Sequence, residues 1–246
     1  MRLALVTDIH GNLAALEAVA ADLRRRSVDR IVNLGDSLSG PLLPLETAQF
    51  LIAEGWLSLA GNHERQILTH SSEQRSPSDE YAFSQLTAKE FSWLKSLAPI
   101  SRLIPEVLLC HGTPLGDTEY FLETVEEGGA VRPATSAEVE LRLASELAPF
   151  IACGHTHVPR VARTKRGQLV VNPGSVGLPA YDDIHPLPHV IETGSPDARY
   201  AIAEESKGEW CIALLSVPYD YKSMARLARL RGRSEWEHAL LTGYMP

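Results

Sequence analysis

"TDIHGN" at residues 7–12 and "CGHTH" at residues 153–157 decide how this chain is read. Each follows an apolar run, "RLALVT" (2–7) in the first case and "FIACGH" (150–155) in the second. Each sets two metal-capable side chains one residue apart. In extended backbone, residues i and i+2 share a face. Asp8 and His10 can therefore point together, and so can His155 and His157. Each pair reads as half of a site whose other half lies far away in the chain.

The segments around them alternate in type. "RLALVT", "DRIVNLG" (29–35) and "WLSLAGN" (56–62) read as buried strands. Between them, "NLAALEAVAADLRRR" (12–26) carries Leu13, Leu16, Val19 and Leu23 at helical spacing, and "ETAQFLIAEG" (46–55) is a short helix ended by glycine. The order β-α-β-α-β predicts parallel strands joined by crossover helices. Residues 69–80 are polar and serine-rich and read as a surface loop. A helix is expected over 84–98, a strand at "EVLLCHG" (106–112), and a helix over 136–148. Residues 113–133 and 181–197 read as loop excursions. After "FIACGH" the style changes. "RVARTKRGQLVV" (160–171) reads as an antiparallel hairpin, "ARYAIAEES" and "EWCIALLSVPYD" as further strands, and the tail 221–243 as helical. No repeat and no linker divides the chain, so residues 1–246 are expected to form a single domain.

Bulk properties narrow the partners. The chain has 246 residues, 44% hydrophobic content, 22% charged residues and a formal net charge of −8. That composition suits a globular protein with a large core. The acidic balance, with no basic-aromatic stripe, argues against a nucleic-acid polymer as partner. Cys110, Cys153 and Cys211 are odd in number, widely spaced, and end or lie inside apolar runs. They form no disulfide framework or thiolate zinc motif. No apolar stretch approaches a membrane span, and the N-terminal run is too short for a signal peptide. A cytoplasmic location is expected. Oligomeric state is not legible.

Five polar clusters follow the predicted strands: Asp8 with His10; Gly35-Asp36; Gly61-Asn62-His63-Glu64; His111-Gly112; and Gly154-His155-Thr156-His157. Strand ends on one edge of an open α/β sheet are where ligand sites form. Singly, each cluster has a bland explanation as a turn, a loop or a strand-end histidine. All five in sequence do not. Asp8, His10, Asp36, Asn62, His111, His155 and His157 are too many ligands for one ion. Two divalent ions about 3.5–4 Å apart sharing a carboxylate fit them. Mixed imidazole and oxygen donors suit manganese, iron, zinc, cobalt or nickel.

These motifs together resemble the calcineurin-like metallophosphoesterase superfamily, and its small single-domain bacterial branch above all. The resemblance runs from residue 1 through "VNPGSVG" (171–177), and more loosely to "VPYDY" (217–221). It implies a mixed α/β, four-layer α-β-β-α sandwich with two mixed β-sheets and metals at the strand C-terminal ends. Asp8, His10, Asp36 and His157 would hold one ion, and Asp36, Asn62, His111 and His155 the other. Manganese is favoured for activity. His63 would be the catalytic acid, and a hydroxide bridging the metals the nucleophile. The implied activity is hydrolysis of a small nucleotide-like or organic phosphate. The competing reading is a non-catalytic scaffold that keeps the fold for protein binding, but such relatives lose ligands that this chain retains.

The chain departs from the family pattern in places. Glu64 stands where many relatives have aspartate and is expected to orient His63. Leu178, Pro179 and Ala180 stand where close relatives often have glutamine, proline and arginine. A substrate-side arginine is therefore expected to be missing, unless Arg132 supplies the cation, and diesters are expected to be accepted at least as readily as monoesters. Asn12, His70 and Ser175 are weaker site candidates, with Asn12 as a substrate contact. His185 and His189 read as solvated loop residues.

Overall fold

The computed structural model describes residues 1–246. Its first sheet runs β14-β13-β1-β2-β3 and its second β4-β5-β8-β10-β9. The first contains β1 (Arg2–Val6), β2 (Arg30–Asn33), β3 (Leu57–Ser58), β13 (Ala198–Ser206) and β14 (Glu209–Val217). The second contains β4 (Ile100–Ile104), β5 (Val107–Cys110), β8 (Phe150–Ala152), β9 (Arg160–Arg163) and β10 (Leu169–Asn172). Both sheets are mixed. β1-β2-β3 and β5-β8-β10 are parallel, while β13, β14, β4 and β9 join antiparallel.

Side-chain alternation builds the layers. Leu3 and Leu5 of β1 pack with Val107 and Leu109 of β5 and with Phe150 and Ala152 of β8, forming the core between the sheets. Ala4 and Val6 face the other way, onto Leu16, Val19 and Leu23 of α1 (Leu13–Leu23). Leu108, Cys110 and Ile151 face outward from the second sheet onto Val139 and Leu143 of α6 (Ser136–Leu143). The result is the four-layer α-β-β-α sandwich with two mixed β-sheets. Each layer is set by the two-residue period of its strands.

Several local expectations were incomplete. Residues 69–80 are not all loop: α4 (Pro77–Gln85) begins within them, capped by the Ser76 hydroxyl, which accepts from Asp79 N–H at 3.1 Å. The helix expected over 84–98 is split, because Thr87 caps a separate α5 (Ala88–Ser96). α3 (Asn62–Thr69) starts directly at the Gly61-Asn62 cluster. Residues 113–133 contain the hairpin β6 (Glu123–Val125) and β7 (Val131–Pro133), and the stretch 181–197 overlaps a second hairpin, β11 (Ala180–Asp183) with β12 (His189–Glu192). His189 is buried rather than solvated. Its Nε2 accepts from the Tyr120 hydroxyl at 2.7 Å while its Nδ1–H donates to the Leu187 carbonyl. The tail forms α7 (Tyr221–Leu230) and α8 (Ser234–Thr242), while α2 spans Pro44–Glu54. Met224, Ala228, Trp236 and Leu240 of this helical pair pack on Leu42, Leu178 and Ala180. No helix is long and apolar enough to cross a membrane.

Candidate metal centre

The parallel strands deliver the polar clusters to one place. Asp8 and His10 follow β1, Asp36 follows β2, Asn62 opens α3 just past β3, His111 follows β5, and His155 and His157 follow β8. The backbone is bent hard to do so. Five of the eight non-glycine residues with left-handed φ are Asp8, His10, Asp36, His155 and His157. Such a conformation costs roughly 1–2 kcal/mol per residue. Its concentration on these side chains marks where the fold accepts strain to aim them inward. Glycine is required beside them: a Cβ on Gly61 would collide with the Asp36 carboxylate.

Two triads form. The ligand atoms of Asp8, His10 and His157 lie within 4.8 Å of one another, and so do those of Asp36, His111 and His155. His111 Nε2 is 2.9 Å from Asp36 Oδ2 and 3.9 Å from Asp8 Oδ1, so the triads adjoin. Asp36 Oδ1 accepts from His63 N–H at 3.0 Å, and Asp8 Oδ2 from His155 N–H at 3.1 Å. Those bonds turn the other oxygen of each carboxylate toward the imidazoles. Asp8 Oδ1 and Asn62 Oδ1 are buried with no hydrogen-bond partner.

The tautomers are set by backbone carbonyls. His10 Nδ1–H donates to Ser39 at 2.8 Å, His111 Nδ1–H to Leu34 at 2.9 Å, and His157 Nδ1–H to Leu178 at 2.7 Å. Each Nε2 is left to face the cluster. His10 Nε2 and His157 Nε2 stand 3.1 Å apart, lone pair toward lone pair. A shared cation is what makes such an approach favourable, and carbonyl-anchored imidazoles are the usual support for metal ligands.

The electrostatics agree. Burial, opposed by His111, pushes the Asp8 carboxyl up to about 7. Burial, followed by the neighbouring His63, pushes His10 down to about 4, and burial also lowers His155 to about 4 and His157 well below the usual range. These imidazoles are neutral donors at neutral pH. Burial also disfavours charge on His111, but Asp36 outweighs it and raises the ring to about 9. Asp36 resists its own burial through His111 and His63 and lies well below the usual carboxylate range. The donor set thus fits divalent cations: one permanently ionised carboxylate, one that a cation would ionise, three neutral imidazoles, and His111, whose proton a cation would displace.

His63 stands apart from the triads, with Nε2 4.0 Å from Asp36 Oδ2 and its ring edge-on to His10 at 5.5 Å. Its Nδ1–H donates to Asp79 Oδ1 at 2.8 Å. Burial would lower it, but Asp36 and then Asp79 raise it to about 10. Glu64 does not orient it. The Glu64 carboxylate turns inward and accepts the N–H groups of Asp36, Ser37 and Gly61, each at 2.8 Å. Sequence reasoning missed Asp79. The available signal was "SPSD" at 76–79, a capping serine followed by proline and an acid in the first helical turn.

The weaker candidates have structural roles. Asn12 accepts from Ala15 N–H, capping α1, and donates to the Gly177 carbonyl at 2.8 Å and the Tyr219 hydroxyl at 2.9 Å. It is fully buried and is not part of the cleft lining. Ser175 donates to the Asp8 carbonyl at 2.7 Å, and His70 ends α3. Arg132 is tied to Glu126 and Glu138. The site opens into a cleft of about 900 Å³ walled by Tyr120, Tyr181, Trp236 and, at its margin, Arg233. Ala180 is buried and brings no charge to the cleft, as expected, while Arg142 and Arg233 line it from other elements.

Fold and site together define a class: a four-layer sandwich with an aspartate-histidine cluster at the adjoining strand ends of both sheets. The chain belongs to the calcineurin-like phosphoesterase superfamily, whose domain model matches residues 1–192. It is similar to a metallophosphoesterase from Sphaerobacter thermophilus, with 26% identity, a TM-score of 0.72, and 94% of this chain and 95% of that one covered. A hypothetical protein from Pyrococcus horikoshii OT3 shares the fold at 18% identity and a TM-score of 0.72, covering 100% and 99%. An uncharacterized protein of Methanocaldococcus jannaschii is 27% identical over 89% of this chain and 88% of its own length.

Proposed function

We propose that the whole chain works as one catalytic unit that hydrolyses phosphate esters with two divalent transition-metal ions, manganese favoured. Asp8, His10, Asp36 and His157 would hold one, and Asp36, Asn62, His111 and His155 the other. The observation that carries this reading is the facing pair of Nε2 lone pairs, His10 and His157 at 3.1 Å, beside the unpartnered buried Asp8 Oδ1. Bound ions would supply positive charge to the phosphoryl oxygens and make a water nucleophilic near neutral pH.

The chain's own groups do the rest. Asp79 holds the His63 Nδ1–H, so the Nε2–H points toward the cleft. There it can donate to the leaving oxygen, an effect typically worth about 10²–10⁴-fold. Buried Glu64 binds the backbone on both sides of the site and keeps the loops after β2 and β3 in register. Tyr181, 3.3 Å from the His155 carbonyl, and Tyr120, edge-on to the His155 ring, wall the opposite side. The cleft suits a small phosphorylated molecule, and the acidic net charge disfavours a nucleic-acid polymer. A scaffold would have no need for the His63–Asp79 pair.

The test is a panel of aryl phosphomonoesters, aryl phosphodiesters and nucleotides with added manganese. Hydrolysis of at least one class, abolished by a chelator and restored by the metal, is expected. No turnover across the panel with metal bound would favour the scaffold.

A further inference from the structure

Two arginines and no lysine line the cleft. Arg142 is committed: its Nη1 donates to the carbonyls of Phe121 and Glu123 and its Nη2 to the Thr124 hydroxyl. Arg233 differs. Its Nε donates to Glu235 Oε1 at 2.5 Å and its Nη1 to Ser78 Oγ at 3.1 Å, while its Nη2 has no protein acceptor. The guanidinium carbon lies 5.7 Å from the Trp236 ring centroid. Trp236 is itself buried edge-on to His10, with ring centroids 6.1 Å apart. The guanidinium is thus held on three sides with one donor edge uncommitted.

Its position indicates what it faces. Ser78 precedes Asp79, the partner of His63 Nδ1, so Arg233 stands on the His63 side of the cleft. That is the side of the leaving group if His63 is the proton donor. Glu119, Asp182 and Asp183 also line the cleft, close in sequence to Tyr120 and Tyr181 of the other wall. Arg233 thus places the uncommitted donor edge of a cation in the cleft on the side of His63.

We infer that Arg233, presented by the C-terminal helices α7 and α8 beyond the matched family domain, selects phosphate esters or anhydrides whose leaving group carries its own negative charge. This inference rests on the phosphoesterase reading. In the step, a water oxygen bonds to phosphorus and gives up a proton to solvent, which later restores the proton that His63 donates, and the bond from phosphorus to the leaving oxygen breaks. The leaving oxygen takes the proton from His63 Nε2, and Arg233 Nη2 binds an anionic group elsewhere on that fragment. Glu235, which offsets part of the Arg233 charge, tempers the preference.

The experiment compares kcat/KM for two aryl phosphates that differ only in carrying a carboxylate or its methyl ester on the leaving phenol, using manganese-loaded full-length protein. Wild type should favour the carboxylate by roughly tenfold, the scale of one charge-assisted contact. Arg233→Gln should erase that preference, mainly by slowing the carboxylate ester. Glu235→Gln should enlarge it. Thermal melting checks that each variant folds, and if Arg233→Gln does not fold, the Glu235→Gln result decides. An equal rate on both esters in wild type, or a preference untouched in a folded Arg233→Gln protein, overturns the assignment while leaving the phosphoesterase reading intact. Turnover of neither ester by metal-loaded wild type overturns the reading on which it rests.

Discussion

Asp79 is the sharpest place to probe the chemistry, because it touches His63 and no metal ligand. Its carboxylate is buried and accepts from His63 Nδ1–H and from the Ser76 hydroxyl, both at 2.8 Å. Asp79→Asn keeps the shape, and the amide oxygen can still accept the imidazole proton, but the bond changes from ionic to neutral. A hydrogen bond to a charged group contributes roughly 1.5–3 kcal/mol and a neutral one roughly 0.5–1.5. The loss at His63 is then about 1–1.5 kcal/mol, or roughly a five- to fifteenfold fall in kcat. The fall should be steepest for poor leaving groups, which need the proton most, and shallow for activated aryl esters. The assay is kcat across aryl esters of graded leaving-group acidity, with metal content measured on the same samples. An unchanged leaving-group dependence, or loss of metal with the fold intact, would refute the assignment of Asp79 as the group that positions His63.

Asn12→Ala should lower stability by about 1–2 kcal/mol through the lost α1 cap, with kcat unchanged; a fall in kcat without a fall in denaturation midpoint would restore Asn12 as a substrate contact. Gly61→Ala forces a methyl group into the Asp36 carboxylate and should weaken metal binding roughly tenfold or more, read by titration calorimetry. Asp22 resists the effect of burial through Tyr200, Arg26 and Arg25, which hold its carboxyl down to about 2. Its folded value lies below the unfolded 3.8, so its contribution is complete above about 4 and is lost as pH falls toward 2. Asp22→Asn should therefore destabilise by about 1–2 kcal/mol at pH 7, and chemical denaturation should show the gap to wild type narrowing as pH falls through that window.

The candidate ligands were legible because their chemistry is local to the sequence. Asp8 with His10 and His155 with His157 each sit immediately beyond an apolar run, and parallel strands can only send such ends to one edge. Runs such as "RLALV" and "VLLC" marked the buried strands, while the division into two mixed sheets came only with the family resemblance. Contacts set by tertiary packing were not legible. Glu64 adjoins His63 in sequence, yet α3 turns its carboxylate inward onto Asp36 and Ser37, and Asp79 arrives from another helix. His189 read as solvated because its polar neighbours hid Tyr120, which comes from another loop to cover it. Arg233 was invisible as a cleft residue because only the packing of Trp236, Ala239 and Leu240 on Leu42 and Leu178 brings α8 to the site.

The central claim is that Asp8, His10, Asp36, Asn62, His111, His155 and His157 hold two ions that phosphate-ester hydrolysis requires. Metal analysis of the full chain, stripped with chelator and titrated with manganese while aryl phosphate turnover is followed, tests it most directly. Two ions bound per chain are expected, with activity appearing only as the second is taken up, and with Asp36→Ala weakening both. Full activity at one ion or fewer per chain would contradict the account.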